Sequence, residues 1–455
     1  MTWRTEVRRD AMWLALLVVF TASVRVAWII HADVLPFEGL DTYFYDQTAR
    51  RLASGLGYTH PADNQPTALF PPGYSFFLAA VYKVFWPSVA VAQTLSVLTS
   101  VGVALATYAL GRMAIGREVG LAGAFVWAAF PSQVFWTSLI MPEMAFTFAM
   151  MLSFALVFVA GNVESSRGRL VLMVLAGALS GAALLIRGQA IGVWLVVGLW
   201  LLWFRRRDAL FGTLTFALAM GLVVLPWTIR NERELHATVP ISTNVGWNAV
   251  IGHADNANGG FWSPAAAGTF NAQVAPNPQG EVDRNEAGVR MAWSWAREHP
   301  RDEIALSAKK VAILWNTDDD AIYWQQIGRV PDFMGAREYD ALRYVCNVFY
   351  YAALAMAVFG VAWGLKRSEA WAGLWVLIAL YWTAFHVLFF SENRYHYPLI
   401  PLIALAAVVG GRELFRMAAS LRQRIHARAG PYGIDRYLGE GPVSCLLRRP
   451  CGRRL

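Results

Sequence analysis

The sequence predicts an all-α polytopic membrane protein with about ten transmembrane helices, a helical first outer loop and a small outer subdomain. Three observations carry this prediction. The 455 residues are 56% apolar and 14% aromatic but only 15% charged, with a mean hydropathy of +0.39, far more apolar than a water-soluble domain of this size. Ten apolar runs approach the roughly 20 residues that cross a ~30 Å hydrocarbon layer. The basic residues gather in alternate links between those runs, which is how positive charge orients membrane proteins.

In chain order the runs lie at approximately 11–30, 88–111, 118–136, 141–160, 170–186, 190–204, 209–226, 345–364, 370–390 and 396–411. The first is long and no small-residue cleavage pattern follows it, so it reads as a retained anchor rather than a signal peptide. Arg4, Arg8 and Arg9, Arg112 and Arg117, Arg167 and Arg169, Arg205 to Arg207, Lys366 and Arg367, and the tail from Arg412 all fall on one side. Assigning that side to the cytoplasm places both termini there, in a multi-pass protein of the cell's cytoplasmic (inner) membrane. The net charge of +8 is thereby accounted for, and nucleic acid is not an expected partner. Four units follow: an N-terminal transmembrane module, 1–226, including the first outer loop, 31–87; an outer, periplasmic subdomain, 227–344; a C-terminal transmembrane module, 345–411; and a basic cytoplasmic tail, 412–455, which is expected against anionic lipid. Cys346, Cys445 and Cys451 make neither a metal-type pair nor a disulfide framework.

The stretch from Asp41 to Tyr74 organises the rest. It opens with acids among aromatics (Asp41, Tyr43, Phe44, Tyr45, Asp46), runs as a short helix to about Leu52, turns at Gly55 and Gly57 and closes on Pro71-Pro72-Gly73. The segment is too polar and too punctuated to span a membrane, so it is expected to cover a cavity at one face.

Charged residues accumulate at that same predicted face: Asp41, Asp46, Glu143, Arg187, Arg230, Glu392 and Arg394 lie in outer links or within a turn of an outer helix end. Ionisable groups at membrane depth are costly and mark function or a satisfied partner. Each has a plainer reading. Arg230 and Arg394 sit beside Trp and Tyr and could snorkel to the interface. Glu143 follows Pro142 in a first helical turn, where a carboxylate favours the positive end of the helix dipole. Asp46 could be a solvated helix face. Arg25 reads as snorkelling or a structural ion pair.

The remaining features read as structure. Asp318-Asp319-Asp320 is the obvious hard-cation candidate, yet adjacent side chains diverge and a solvated turn is expected there; oxygen-ligand metal sites draw together several spaced groups. A divalent metal is left open and no cofactor is assigned. His60, His253, His386 and His396 show no ligand spacing. Residues 240–280 are rich in Asn, Gly, Pro and Ala and predict irregular chain, whereas Arg284 to Trp315 predicts a helix divided at Pro300. Its second half, with Lys309 and Lys310, is expected in the interface, forming a lid or a plain cover. Gly177 and Gly181 make a GxxxG step that predicts close helix packing.

The segment DTYFYDQTARRLASGLGYTH, with FPPGYSFFLAAVYKVFW after it, resembles the first outer loop of GT-C membrane glycosyltransferases of glycosyltransferase family 39, which include the lipid A aminoarabinose transferases and the protein O-mannosyltransferases. The likeness continues through MPEMAF at 141–146, LPWTIRN at 225–231, STNVGWNAVIGHADNANGGFW at 242–262 and ENRYHYPLIP at 392–401. The resemblance implies transfer of one sugar from a polyprenyl-phosphate carrier to a lipid, glycan or protein acceptor on the non-cytoplasmic face. It also implies that the acid heading the first loop, here Asp41, is essential, and that a second acid at the outer end of a later span corresponds to Glu143. The aminoarabinose transferases carry a lysine directly before the double proline where this chain has Phe70, so the phosphate contact is expected elsewhere.

The chemistry makes matching demands. Attack of a hydroxyl on an anomeric carbon bearing a lipid phosphate needs a base for the proton and positive charge for the departing phosphate. Asp41 is the expected base, and arginine suits the phosphate because its planar fork stays charged and bonds two oxygens. Arg230, Arg394 and Arg187 are the candidates, with Tyr45, Asp46 and Glu392 expected to contact substrate. Direct displacement inverts the anomeric centre; retention would need a second carboxylate such as Glu143 or Glu392 close to the sugar. The rival reading is a secondary transporter or lipid flippase, but such proteins show matching halves and charges near the midplane, and here the halves differ.

Overall fold

The computed structural model describes residues 3–32, 40–204, 209–264, 278–327 and 334–429. The expectations for the Arg4, Arg8 and Arg9 side chains, for Arg205 to Arg207, and for Cys445 and Cys451 lie outside what is described. Among the described residues every regular element is helical. In chain order these are α1 (Trp3–Ala32), α2 (Asp41–Ala53), α3 (Gly73–Val84), α4 (Val89–Ala114), α5 (Arg117–Ala128), α6 (Pro131–Phe135), α7 (Glu143–Asn162), α8 (Ser166–Ile186), α9 (Val193–Phe204) and α10 (Ala209–Leu235). There follow α11 (Val245–Gly252), α12 (Pro278–Glu298), α13 (Pro300–Asn316), α14 (Asp320–Gln326), α15 (Ala336–Lys366), α16 (Ala370–Val387) and α17 (Ile400–Ala429).

Eight of the described helices are long and apolar enough to cross a membrane, counting from Asp10 in α1 and joining α17 to the 3₁₀ segment before it. The other two predicted runs take different forms. The run at 118–136 is broken into α5 and the segment Pro131–Ser138, bent by 59°, because Pro131 has no N–H to continue the α5 ladder. The run at 190–204 is the shorter apolar helix Gly188–Phe204.

The break at α5 explains Arg25, and corrects its reading. Arg25 is fully buried and donates to the carbonyls of Thr21 (3.2 Å) and Ala128 (3.0 Å) while lying 4.7 Å over the Trp127 ring. It neither snorkels nor pairs with an acid among the described residues; it serves the negative C-terminal end of α5, whose last carbonyls have no helical partner. At one end of the bundle Asp10, also buried, is bonded by Tyr108, Arg112 and Arg117, pinning α1 to α4 and α5.

At Gly177 and Gly181 α8 and α10 meet backbone to backbone. A Cβ on Gly181 would stand 2.6 Å from the Met220 carbonyl oxygen, and one on Gly177 would strike that of Phe216. The small-residue step is therefore a packing device, as expected.

The first loop and the segment after α10 sit together at the other end. After α2 the chain reverses through Gly55 (φ +78°) and Gly57 (φ +75°), a backbone conformation glycine adopts without strain. Asp46 then ties α2 to α3: its carboxylate accepts from Tyr82 Oη at 2.6 Å and from Arg50 Nε at 2.7 Å. From outside, Arg230 donates to the carbonyls of Thr67 (2.8 Å) and Tyr58 (2.7 Å). Glu281 on α12 accepts from Thr67 Oγ1 (2.5 Å), the Ala68 N–H (2.9 Å) and Thr243 Oγ1 (2.5 Å). The loop is thus clamped from two helices.

The segment expected to be irregular contains α11 near its start, while residues 265–277 lie outside what is described. Pro300 divides the later helices as predicted. Lys310, expected on an interfacial face, is instead buried, its Nζ donating to the Val387 carbonyl at 3.0 Å and lying 3.5 Å from Glu303. The second helical half therefore packs on α16 through its Lys310 face.

Candidate active site

A cavity of about 1300 Å³ opens where the first loop, the segment after α10 and the ends of α8 and α16 converge. Its polar wall is built from distant pieces of chain. Asp41 is the first residue of α2, so its carboxylate sits at a helix N-terminus, and its side chain is 32% exposed on the cavity wall. Arg394 comes from the 3₁₀ segment Asn393–Leu399. Its Nη2 lies 3.7 Å from Asp41 Oδ2 and its Nε donates to Glu392 Oε2 at 2.6 Å. Its guanidinium carbon lies 4.3 Å over the Trp324 ring and 5.5 Å over that of Tyr395, contacts favourable for a desolvated cation.

Arg187 is the residue at which α8 ends, in extended conformation, where a cation suits the helix C-terminus. It pairs with Glu143 and donates from Nε to Gln189 Oε1 at 2.9 Å. Gln189 in turn contacts His386 Nε2 at 3.0 Å, and His386 stacks on Tyr395 with ring centroids 5.0 Å apart. Arg187 also lies 5.6 Å over the Tyr395 ring. One tyrosine therefore lies beside both Arg187 and Arg394.

Burial pushes the Asp41 carboxyl above the ordinary carboxylate range, with Arg394 pulling the other way and Glu392 reinforcing the rise. A carboxylate so placed holds a proton more readily than an exposed one. Burial likewise raises the Tyr45 phenol, with the Asp41 charge next in effect, so Tyr45 stays neutral. Its ring packs against Phe70 (5.5 Å) and Tyr74 (5.3 Å), closing the wall beside Asp41.

The acid run behaves unlike a solvated turn. Its side chains diverge, as adjacent residues must, but into the protein. Asp318 is fully buried and faces His396 Nε2 at 3.0 Å; Asp319 accepts from Arg343 Nε at 2.7 Å and Asn347 at 3.2 Å. Asp320 lines the cavity and accepts the Arg394 backbone N–H at 2.9 Å. Its carboxyl is pushed up to about 6, by burial first and by Glu392 second.

Of the residues singled out in the sequence, Asp41, Tyr45, Arg187, Glu392 and Arg394 border this one cavity. Glu143 does not border it: fully buried, it stands behind Arg187 and accepts from Trp136 Nε1 at 3.0 Å. Asp46 and Arg230 are spent on the first loop, as described above, and neither borders the cavity. Asp46 is also no solvated face, being 2% exposed. Sequence reading placed Asp320 in a solvated turn and passed over Trp324 and Tyr395. The signal for Asp320 was its setting, since the acid run lies between the aromatic stretches Ile313-Leu314-Trp315 and Ile322-Tyr323-Trp324, which predicts burial rather than hydration. Among the described residues no group of three or more His, Cys, Asp or Glu side chains is placed to hold a metal.

Comparison with known proteins adds the fold. Residues 68–239 match the family model described as dolichyl-phosphate-mannose-protein mannosyltransferase. Sequence comparison with curated proteins finds no significant match. The oligosaccharyltransferase of Archaeoglobus fulgidus in its apo form superposes with a TM-score of 0.55 at 14% identity, over 91% of this chain and 52% of that one. AglB from the same organism, in complex with an inhibitory peptide and a dolichol-phosphate, superposes with a TM-score of 0.53 at 13% identity, over 94% and 52%. ArnT from Cupriavidus metallidurans bound to undecaprenyl phosphate gives a TM-score of 0.43 at 16% identity, over 89% and 78%. The chain spans about half the length of the archaeal proteins. It has the GT-C fold, an all-α polytopic membrane architecture.

Proposed function

We propose that the protein is a membrane glycosyltransferase that moves one sugar from a polyprenyl-phosphate carrier to an acceptor hydroxyl. The single observation that carries this reading is the meeting of Asp41 with Arg394 and Arg187 on one cavity wall, at the bundle end covered by the first loop. The family match and the GT-C fold support the same class of reaction.

In this reading the acceptor oxygen attacks the anomeric carbon and Asp41 takes the hydroxyl proton. The bond between that carbon and the phosphate oxygen breaks, its electrons leaving with polyprenyl phosphate. Arg187 and Arg394 stabilise the departing phosphate, each preorganised by a carboxylate, Glu143 and Glu392 respectively. Glu143 is then a positioning residue. With no second carboxylate assigned to attack the sugar, direct displacement inverts the anomeric centre. Charge distribution along the sequence supports a cytoplasmic-membrane location with both termini in the cytoplasm and the cavity on the outer face.

The test uses purified protein in lipid nanodiscs with radiolabelled polyprenyl-phosphate sugars and a membrane extract as acceptor. Label should move from carrier to acceptor with the native protein, and about 10²–10⁴-fold more slowly with Asp41→Asn, while donor binding persists. Labelled lipid crossing sealed vesicles with no transfer from any donor would establish the transporter reading instead.

A further inference from the structure

The cavity has two chemically distinct flanks. One is apolar, bordered by Ile191, Tyr381, Phe385, Leu388 and Phe389. Ile191 and Leu388 are 50% and 64% exposed, so this flank continues onto the outer surface of the bundle. Arg187 and Gln189 lie on the same flank, which therefore offers a cation next to an apolar exit, the two things a prenyl phosphate requires.

The other flank is built from the chain between α10 and α11, from α11 itself and from α12. It presents Ser242, Thr243, Asn244, Asn248 and Asn285, with the rings of Trp247 and Phe261. It stands beside the Asp41 loop: the Thr243 N–H donates to the Ala68 carbonyl at 2.8 Å, and Phe70, two residues on, packs 5.5 Å from Tyr45.

This flank is set before any ligand arrives. The Gly246 N–H donates to Asn285 Oδ1 at 2.7 Å, orienting that amide, and Ser242 Oγ donates to Asn244 Oδ1 at 2.7 Å. A Cβ on Gly288 would lie 2.6 Å from the Gly246 carbonyl oxygen, so α11 and α12 cross in backbone contact and cannot slide closer. Preorganised groups lose little freedom on binding.

From this division we infer that the acceptor is a neutral glycan, recognised through its hydroxyls by the amide and hydroxyl wall of Ser242, Asn244, Asn248 and Asn285; the inference rests on the transferase reading above. A sugar hydroxyl both donates and accepts, and an asparagine amide offers both functions side by side. Trp247 and Phe261 supply flat apolar faces for the C–H side of a pyranose ring. An anionic lipid headgroup would call for clustered cations, whereas among the described residues of this flank that line the cavity Arg284 is the only charged one. An extended peptide would pair with a free strand edge, whereas α11 and α12 have their backbone groups engaged within helices. The family description names protein acceptors; the wall of this chain favours a glycan.

The experiment supplies the nanodisc protein with polyprenyl-phosphate hexoses as donors. Three acceptor probes run in parallel: neutral gluco-, galacto- and manno-oligosaccharides, peptides containing Ser and Thr, and a bisphosphorylated glucosamine lipid. Transfer to a neutral oligosaccharide is expected. In Asn248→Leu its KM should rise about tenfold with kcat changed less than about twofold, as for a lost binding hydrogen bond. Asn248→Gln should recover part of the loss, and Asn244→Leu, on a different segment, should raise the same KM. Transfer only to peptide or to the phosphorylated lipid overturns the inference, as does an unchanged oligosaccharide KM in both leucine variants. Asp41-dependent release of sugar to water with no transfer to any oligosaccharide also overturns it, leaving the transferase reading in place. Absence of any Asp41-dependent reaction of any donor overturns the transferase reading itself.

Discussion

The guanidinium of Arg394 lies 3.7 Å from the carboxylate of Asp41, although the two enter the cavity from opposite ends of the chain. Arg394 also holds Glu392 at 2.6 Å and donates its backbone N–H to Asp320 at 2.9 Å. Three acids are therefore organised around one arginine, and the proton affinity of Asp41 depends on it.

Replacing Arg394 by Lys removes the planar fork that reaches Glu392 and Asp41 together. The expected result is a fall in kcat/KM of about 10²-fold or more. Because the arginine charge lowers the Asp41 pKa, displacing that charge raises it, so the acid limb of the pH–rate profile should move to higher pH. The pH dependence of kcat/KM for transfer from a labelled donor checks both the size and the sign; an acid limb that moves down contradicts the assignment.

Asp320 gives a stability prediction of known sign. Its carboxyl is raised from 3.8 to about 6 in the folded protein, so the native state binds the proton more tightly than the unfolded chain. Its favourable contribution is full below about pH 4 and is lost as the pH rises through about 6. Asp320→Asn keeps an acceptor for the Arg394 N–H and carries no charge. It should therefore be more stable than the native protein at pH 7.5, by about 1–3 kcal/mol, and show no such advantage near pH 4. Thermal unfolding in detergent across that range measures it.

Asp46 and Asp41 should separate cleanly. Asp46→Ala leaves the Tyr82 hydroxyl and the Arg50 guanidinium without their shared acceptor, costing about 1–3 kcal/mol. Its activity loss should shrink on cooling and its pH–rate profile should keep the native acid limb. Asp41→Asn, by contrast, should lose turnover at every temperature with little change in melting.

Gly177→Leu sets a side chain against the backbone carbonyl of Phe216, which cannot rotate aside. Forced separation of α8 from α10 should lower stability by about 1–3 kcal/mol or more and reduce the yield of monodisperse protein. Gly221→Ala on α10, where a Cβ meets nothing within 4 Å, is the control and should be silent in size-exclusion chromatography.

How far the site could be read in advance differs residue by residue. Arg187 and Glu143 were legible because each sits at an end of an apolar run, where helix dipoles and desolvation leave few roles for a charge. Asp41 and Asp46 are both expected at the site, Asp41 as the base, yet five positions on a helix place them about 140° apart, so only one can face the cavity. Arg230 resembles Arg394 in having an aromatic neighbour in sequence; it is the fold of the first loop that offers it two carbonyls to hold. Lys310 is expected on an interfacial helix face and Asp318 in a solvated turn, and both are buried because α13 packs against α16 and the 3₁₀ segment carrying His396.

The all-α, membrane-spanning architecture is legible without coordinates, because crossing a hydrocarbon layer imposes on each helix a length and an apolar composition that can be counted along the chain. So are the anomalous charges. Which of them share a cavity, which merely support the first loop, and which flank is amide-lined emerge from the packing of the helices. Those choices depend on helix azimuth and on contacts between segments far apart in the chain, and neither quantity is encoded in local spacing.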